Sequence, residues 1–194
     1  MNRTRTLATL AVAGLALTAC SPAADTATEP TASASGITCD KSTLETRQPG
    51  KLVIATGQPA YEPWVTNDAP QSGEGFEAAV AYAAAEKLGF GPEDIQWTRT
   101  TFDVAIAPGE KDFDWNIQQF SITEDREKAV DFSSSYYDVN QAIVSYAGSP
   151  IAEATALADL ESAKLGAAVG STSLDAAQQL DTGEEVAVFN DNAA

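Results

Sequence analysis

Between residues 52 and 189 the chain alternates short unbroken apolar runs with apolar residues spaced four apart, the pattern of strands and helices taking turns. Leu52, Val53, Ile54 and Ala55 form one such run, closed by Thr56 and Gly57, as in a strand covered on both faces. Phe76, Val80, Ala84 and Leu88 recur at a helical interval, and Gly89 stands where a helix stops, which predicts a helix within 73–89. Ile95 and Trp97 alternate with polar residues and predict a second strand. Phe102, Val104 and Ile106 open a helix that Pro108 and Gly109 cut short.

The stretch 112–137 carries the most chemistry for its length. Trp115, Ile117 and Phe120 predict a short buried strand whose end brings Gln118, Gln119 and Ser121 to a sheet edge. Thr123 is the expected N-cap of the turn that follows, with Glu124 and Asp125 complementing the helix dipole. Arg126 opposes that dipole. Two readings account for it: a guanidinium placed to grip a carboxylate through paired hydrogen bonds, or a surface salt bridge to Asp125 or Asp131.

Beyond Tyr137 the pattern predicts strands at 141–146, 164–169 and 186–189, a short helix at 157–160, and a helix carrying Leu174, Ala177 and Leu180. The turn opening that helix contains Gly170, Ser171, Thr172 and Ser173. Such a turn is either a site for an anion at unpaired helix N–H groups or an ordinary N-cap. Asn190, Asp191 and Asn192 predict the start of one more helix.

The first residues read as an export signal. Arg3 and Arg5 precede an apolar core at 7–17, and Leu17, Thr18, Ala19 and Cys20 form a small-residue cleavage pattern. This ending resembles the lipobox of bacterial lipoproteins, so Cys20 is the expected lipidation site. Residues 21–36, rich in Ala, Ser, Thr and Pro, lack the apolar content to order themselves and suit a tether reaching about 20 Å from a membrane.

A net charge of −17, from 11 basic and 28 acidic residues, argues against nucleic-acid binding, which needs clustered cations. The chain has no histidine, which removes Ser-His-Asp triads, Cys-His pairs and histidine zinc sites. No metal or cofactor is expected. If Cys20 is lipidated, Cys39 is either a free thiol or paired outside this chain.

The order strand, Ser121-Ile122-Thr123, two acids, Arg126, then Val130-Asp131-Phe132-Ser133 and Tyr136-Tyr137, closely resembles the amino-acid-binding family (family 3) of ABC-transporter solute-binding proteins. The resemblance runs from about residue 50 to the end of the chain. It implies an α/β, two-lobed, type II periplasmic-binding-protein-like fold. Its parts would be a signal peptide at 1–19, a lipidated N-terminus and linker at 20–48, one lobe at 49–138 and part of a second at 139–194. It implies that Arg126 clamps the ligand's α-carboxylate with Ser121 and Thr123, and that Ser171 and Thr172 face it from the second lobe. Tyr61 or Trp64 and Phe102 would flank the ligand, although Trp64 and Phe102 could as well be core residues. Glu77, at a position where the family often has an acid, reads as structural. Gln118 and Gln119 stand where the family usually has small residues, so ligand identity stays open.

The implied function is a lipid-anchored protein outside the cell that captures an amino acid or similar zwitterion for an ABC permease. Two rivals are a dehydratase-like enzyme on the same scaffold and a sensory lipoprotein without a permease. Asp112 and Asp114 precede the strand rather than ending it, which leaves no general acid poised in the cleft. With few strands in its second lobe, the chain is expected to be C-terminally incomplete and a weak binder alone.

Overall fold

The computed structural model describes residues 40–192. The signal, Cys20, the tether and Cys39 lie outside the described residues. Strand β1 (Leu52–Thr56) is buried at every position, with Ile54 and Ala55 at 0% exposure. It sits at the centre of a parallel sheet in the order β2-β1-β3, where β2 is Ile95–Arg99 and β3 is Trp115–Asn116. Leu52 pairs with Ile95, and Ile54 with both Trp97 and Trp115. A strand bonded on both edges and covered on both faces has no polar position to offer, hence its unbroken apolar run.

Helix α1 (Phe76–Lys87) covers this sheet. Its buried face is Glu77, Ala78, Ala81 and Ala85, whereas the expected stripe of Phe76, Val80, Ala84 and Leu88 runs along the shoulder, and Phe76 is 40% exposed. The small alanine side chains let the helix approach the sheet closely, while Val80 and Leu88 close the flanks around Leu52, Ile54, Phe90 and Ile117. The helix starts at Gly75, with φ 101°, where an added Cβ would lie 2.5 Å from the Trp64 carbonyl oxygen. That close approach lets the Pro63 and Trp64 carbonyls accept from the N–H groups of Phe76, Glu77 and Ala78. The first-turn donors are thereby met by protein. Gly89, at φ 85°, ends the helix as expected.

Helix α2 (Phe102–Ile106) stops before Pro108, and α3 (Glu124–Glu127) begins at Thr123, whose side chain accepts from the Arg126 N–H. A second, two-stranded parallel sheet pairs β4 (Gly166–Ala168) with β5 (Ala187–Phe189), and α4 (Thr172–Gln178) packs between them in sequence. Leu160, Ala163 and Leu165 form its small core with Ala177, Leu180 and Val186.

One expected strand is absent. Residues 141–146 have no ladder among the described residues; Val144 is 92% exposed and Tyr146 74%. A β-prone stretch alone does not make a strand, which needs a partner edge and a face to bury. The helix expected after Asn190 is not present among the described residues either, and positions 193 and 194 lie outside them.

Candidate functional site

The guanidinium of Arg126 lies where the first sheet's connecting turn meets the second sheet's helix. The residue is 9% exposed. Its Nη1 donates to the Ser121 carbonyl at 2.7 Å and its Nη2 to the Gly170 carbonyl at 2.8 Å. Phe102 and Phe120, with ring centroids 4.4 Å apart, flank it at 5.4 and 6.0 Å from Cζ. These contacts are favourable for a weakly hydrated planar cation. Burial pushes the guanidinium's pKa down, and the field of Asp175 opposes the shift. Among the described residues no carboxylate forms an ion pair with Arg126; Asp125 bonds instead to Lys128 at 2.6 Å. The surface salt bridge weighed for Arg126 is therefore not the observed arrangement.

The second sheet meets this cation through the turn before α4. Ser121 Oγ and Thr172 Oγ1 are 3.3 Å apart. Ser171 is an N-cap, its hydroxyl accepting from Leu174 N–H at 3.1 Å and donating to the Ala168 carbonyl. Gln141 joins the group by donating to Thr172 Oγ1 at 3.1 Å and accepting from Ser173 Oγ at 2.8 Å. Phe102, Ser121, Thr123, Arg126, Ser171 and Thr172 thus converge, joined by Phe120 and the Gly170 carbonyl. The local pattern placed Phe120 in a strand and Gly170 in a turn without showing that they meet Arg126, because that depends on Phe102 and on a turn 44 residues away.

The remaining candidates sit elsewhere. Tyr61 OH bonds to Asp191 Oδ1 at 3.2 Å. Trp64 packs edge-on against the exposed Phe76 and Tyr137, at 5.8 and 5.2 Å, apart from the residues that pack on the first sheet's core. Gln118 lies over Gly57, so close that a Cβ there would be 2.8 Å from its Nε2. Gln119, at φ 52°, bonds to Glu77 through both its backbone N–H and its side-chain amide.

Glu77 is fully buried and accepts a third hydrogen bond from Tyr136 OH. Burial pushes its carboxyl above the ordinary range, against the opposing pull of the Tyr136 and Gln119 donors. Burial, and then the neighbouring Glu77, also raise the Tyr136 phenol. Asp114 accepts from the Val53 and Arg47 N–H groups at 2.7 Å each and so extends the sheet's bonding rather than facing a cleft.

A cavity of about 880 Å³ opens beside β3, between residues 115–122 and 129–139. Trp64, Gln118, Gln119 and Ser121 contribute to its wall, whereas Arg126 and the Ser171–Thr172 turn do not. The buried Trp115 Nε1, both Asn116 amide atoms and Gln118 Oε1 lack partners there. Its one lysine, Lys111, donates to the Val104 and Ala107 carbonyls. Volume and cation do not coincide, and a ligand bearing a carboxylate is better met at Arg126, where the charge is.

Residues 52–190 match the bacterial extracellular solute-binding proteins, family 3, and the chain belongs to that family. An ancestral arginine-binding protein solved with arginine is 28% identical, with a TM-score of 0.57 over 74% of this chain and 62% of that one. Its structure with glutamine gives the same identity and TM-score over 75% and 63%. An ancestral amino acid-binding protein described as a precursor of cyclohexadienyl dehydratase is 29% identical, with a TM-score of 0.61 over 74% and 63%. The chain thus spans less than two thirds of the length of these solved relatives. Among curated proteins none matches it. The fold is the α/β, type II periplasmic-binding-protein-like fold, with parallel sheets as the resemblance implied. No helix of the described residues is long and apolar enough to cross a membrane.

Proposed function

We propose that this chain is a solute-binding protein that captures an amino acid or similar zwitterion outside the cell and hands it to an ABC permease, held to the membrane by lipid on Cys20. The carrying observation is Arg126: a buried guanidinium between the two sheets, with no carboxylate partner among the described residues. A cation in that position favours an anionic group brought by a ligand, and its fork geometry suits a carboxylate. The relatives solved with arginine and with glutamine support an amino acid as the ligand class. Ser121, Thr123, Ser171 and Thr172 would supply further polar contacts, and Phe102 would flank the side chain, with Tyr61 approaching from its own loop. Trp64, Gln118 and Gln119 would contribute through support of the loops rather than by touching the ligand, given where their side chains lie. Closure would bend the irregular, exposed segment 133–140, because contacts to both sheets exist only when they meet.

The reading is of binding without turnover. One relative's description as a dehydratase precursor keeps an enzyme in view, but among the described residues no carboxylate bonds to Arg126, and Asp175 reaches it only through its field. Glu77, the buried carboxylate, has both oxygens engaged by Gln119 and Tyr136. The test is an NMR titration of the chain with millimolar arginine and glutamine, which detects weak complexes. Shifts at Ser121, Gly170 and Thr172 are expected, with both amino acids recovered unchanged. Absence of shifts with every amino acid tried, or conversion of the ligand, would overturn the reading.

A further inference from the structure

The Glu77 carboxylate is an unusual filling for its position. The rest of the α1 face against the sheet is alanine, and Glu77 is as buried as Ala78, Ala81 and Ala85. A buried carboxylate without a cation is tolerated only when donors replace water. Three do so here, and they come from two distant places. Gln119, 42 residues away, supplies its backbone N–H at 2.7 Å to Oε1 and its side-chain amide to Oε2; Tyr136, 59 residues away, supplies its hydroxyl to Oε1.

Both places adjoin the Arg126 site. Gln119 has φ 52°, a left-handed conformation sparsely populated for a residue with a side chain. That turn separates Gln118, lying over Gly57, from Phe120, lying on Phe102, and Ser121 follows with its carbonyl on Arg126. Tyr136 belongs to the irregular segment that leads from α3 toward the second sheet, and its neighbour Tyr137 packs on Trp64 and Phe76.

We infer that Glu77 is a positioning residue for the Arg126 site: its carboxylate holds Gln119 in the left-handed turn that aims Phe120 and the Ser121 carbonyl at the guanidinium, and through Tyr136 it fastens the crossing segment to the same point. The turn and the crossing segment as far as Tyr137 then move as one body with α1, which leaves the bend to the residues that follow, within 138–140. This deepens the binding reading, and its ligand arm rests on that reading.

The test compares wild type with Glu77→Gln, which keeps the shape, and with Tyr136→Phe, which removes only a hydroxyl and keeps the ring. Hydrogen exchange followed by mass spectrometry reads the constraint without any ligand. Exchange should rise about ten-fold or more at the Ile117 and Gln119 amides, which donate to Ala55 and Glu77, and protease cleavage within 131–140 should quicken with it in both variants, while β1 is unchanged. A rise confined to α1, or spread evenly over the protein, would overturn the inference. In NMR titrations with arginine and glutamine, each variant should bind about ten-fold more weakly and the double variant no worse than either, since both break one linkage. Additive losses would mean two independent contacts and contradict it. Should wild type bind neither amino acid, the binding reading fails while the exchange pattern still decides the role of Glu77.

Discussion

Arg126 and Gly170, 44 residues apart, are joined by a hydrogen bond of 2.8 Å from the guanidinium to the carbonyl. It ties the turn after β3 to the turn before α4, and with the Ser121 to Thr172 contact it closes the first sheet against the second. Removing it should loosen the second half selectively. In Arg126→Ala, two carbonyls lose a charged donor, each bond worth about 1.5–3 kcal/mol. Hydrogen exchange should quicken across residues 168–174 while β1 stays protected. Equal protection in both proteins would show that the guanidinium does not hold the halves together.

The start of α1 makes a sharper demand on sequence. Gly75→Ala forces a Cβ to within 2.5 Å of the Trp64 carbonyl oxygen at a φ of 101°. A loss of about 1–3 kcal/mol in urea unfolding is expected from the backbone conformation alone. An unchanged midpoint would mean that the loop at 63–65 yields freely and does not set the helix start.

Asp94 offers a test in acid. Its carboxyl is lowered to about 2 by Lys41 first and then Lys51, at 2.6 and 3.2 Å. Because the folded pKa lies below the ordinary 3.8, the group's contribution is present above about 4 and is lost as pH falls through about 2. Thermal melts of wild type and Asp94→Asn should differ near neutrality and converge by about pH 2. A constant difference across that range would contradict the assignment.

What the chain revealed by inspection, and what it hid, follow from the range of the forces involved. The run 52–55, the stop at Gly89 and the cap Thr123 are local, decided within a turn or a strand, and each stands in the structure as expected, while of the two readings left open for the turn at 170–173 the N-cap is present at Ser171. The spacing of Phe76, Val80, Ala84 and Leu88 located α1 but not its buried face, because alanine is only weakly apolar and the larger side chains that dominate the pattern fit only the shoulder. The apolar stretch within 141–146 promised a strand that no neighbouring edge completes. Arg126 stood out by opposing its helix dipole, yet its aromatic flank needed Phe102 brought to Phe120. The side chains of Gln118 and Gln119 were unreadable for a related reason. Their directions depend on the left-handed turn at Gln119, which the distant Glu77 holds.

The most direct test of the central claim, that Arg126 takes a ligand's carboxylate, is a paired titration of wild type and Arg126→Ala with arginine, glutamine and the α-carboxamide of each. Losing the partner of a buried charge typically costs about 3–5 kcal/mol, so affinity should fall by roughly 100-fold or more in the alanine variant. Wild type should respond to the free acids and not to the carboxamides, and Arg126→Ala should respond to neither at concentrations that saturate wild type. Carboxamides binding as well as the acids, or an alanine variant of undiminished affinity, would contradict the account.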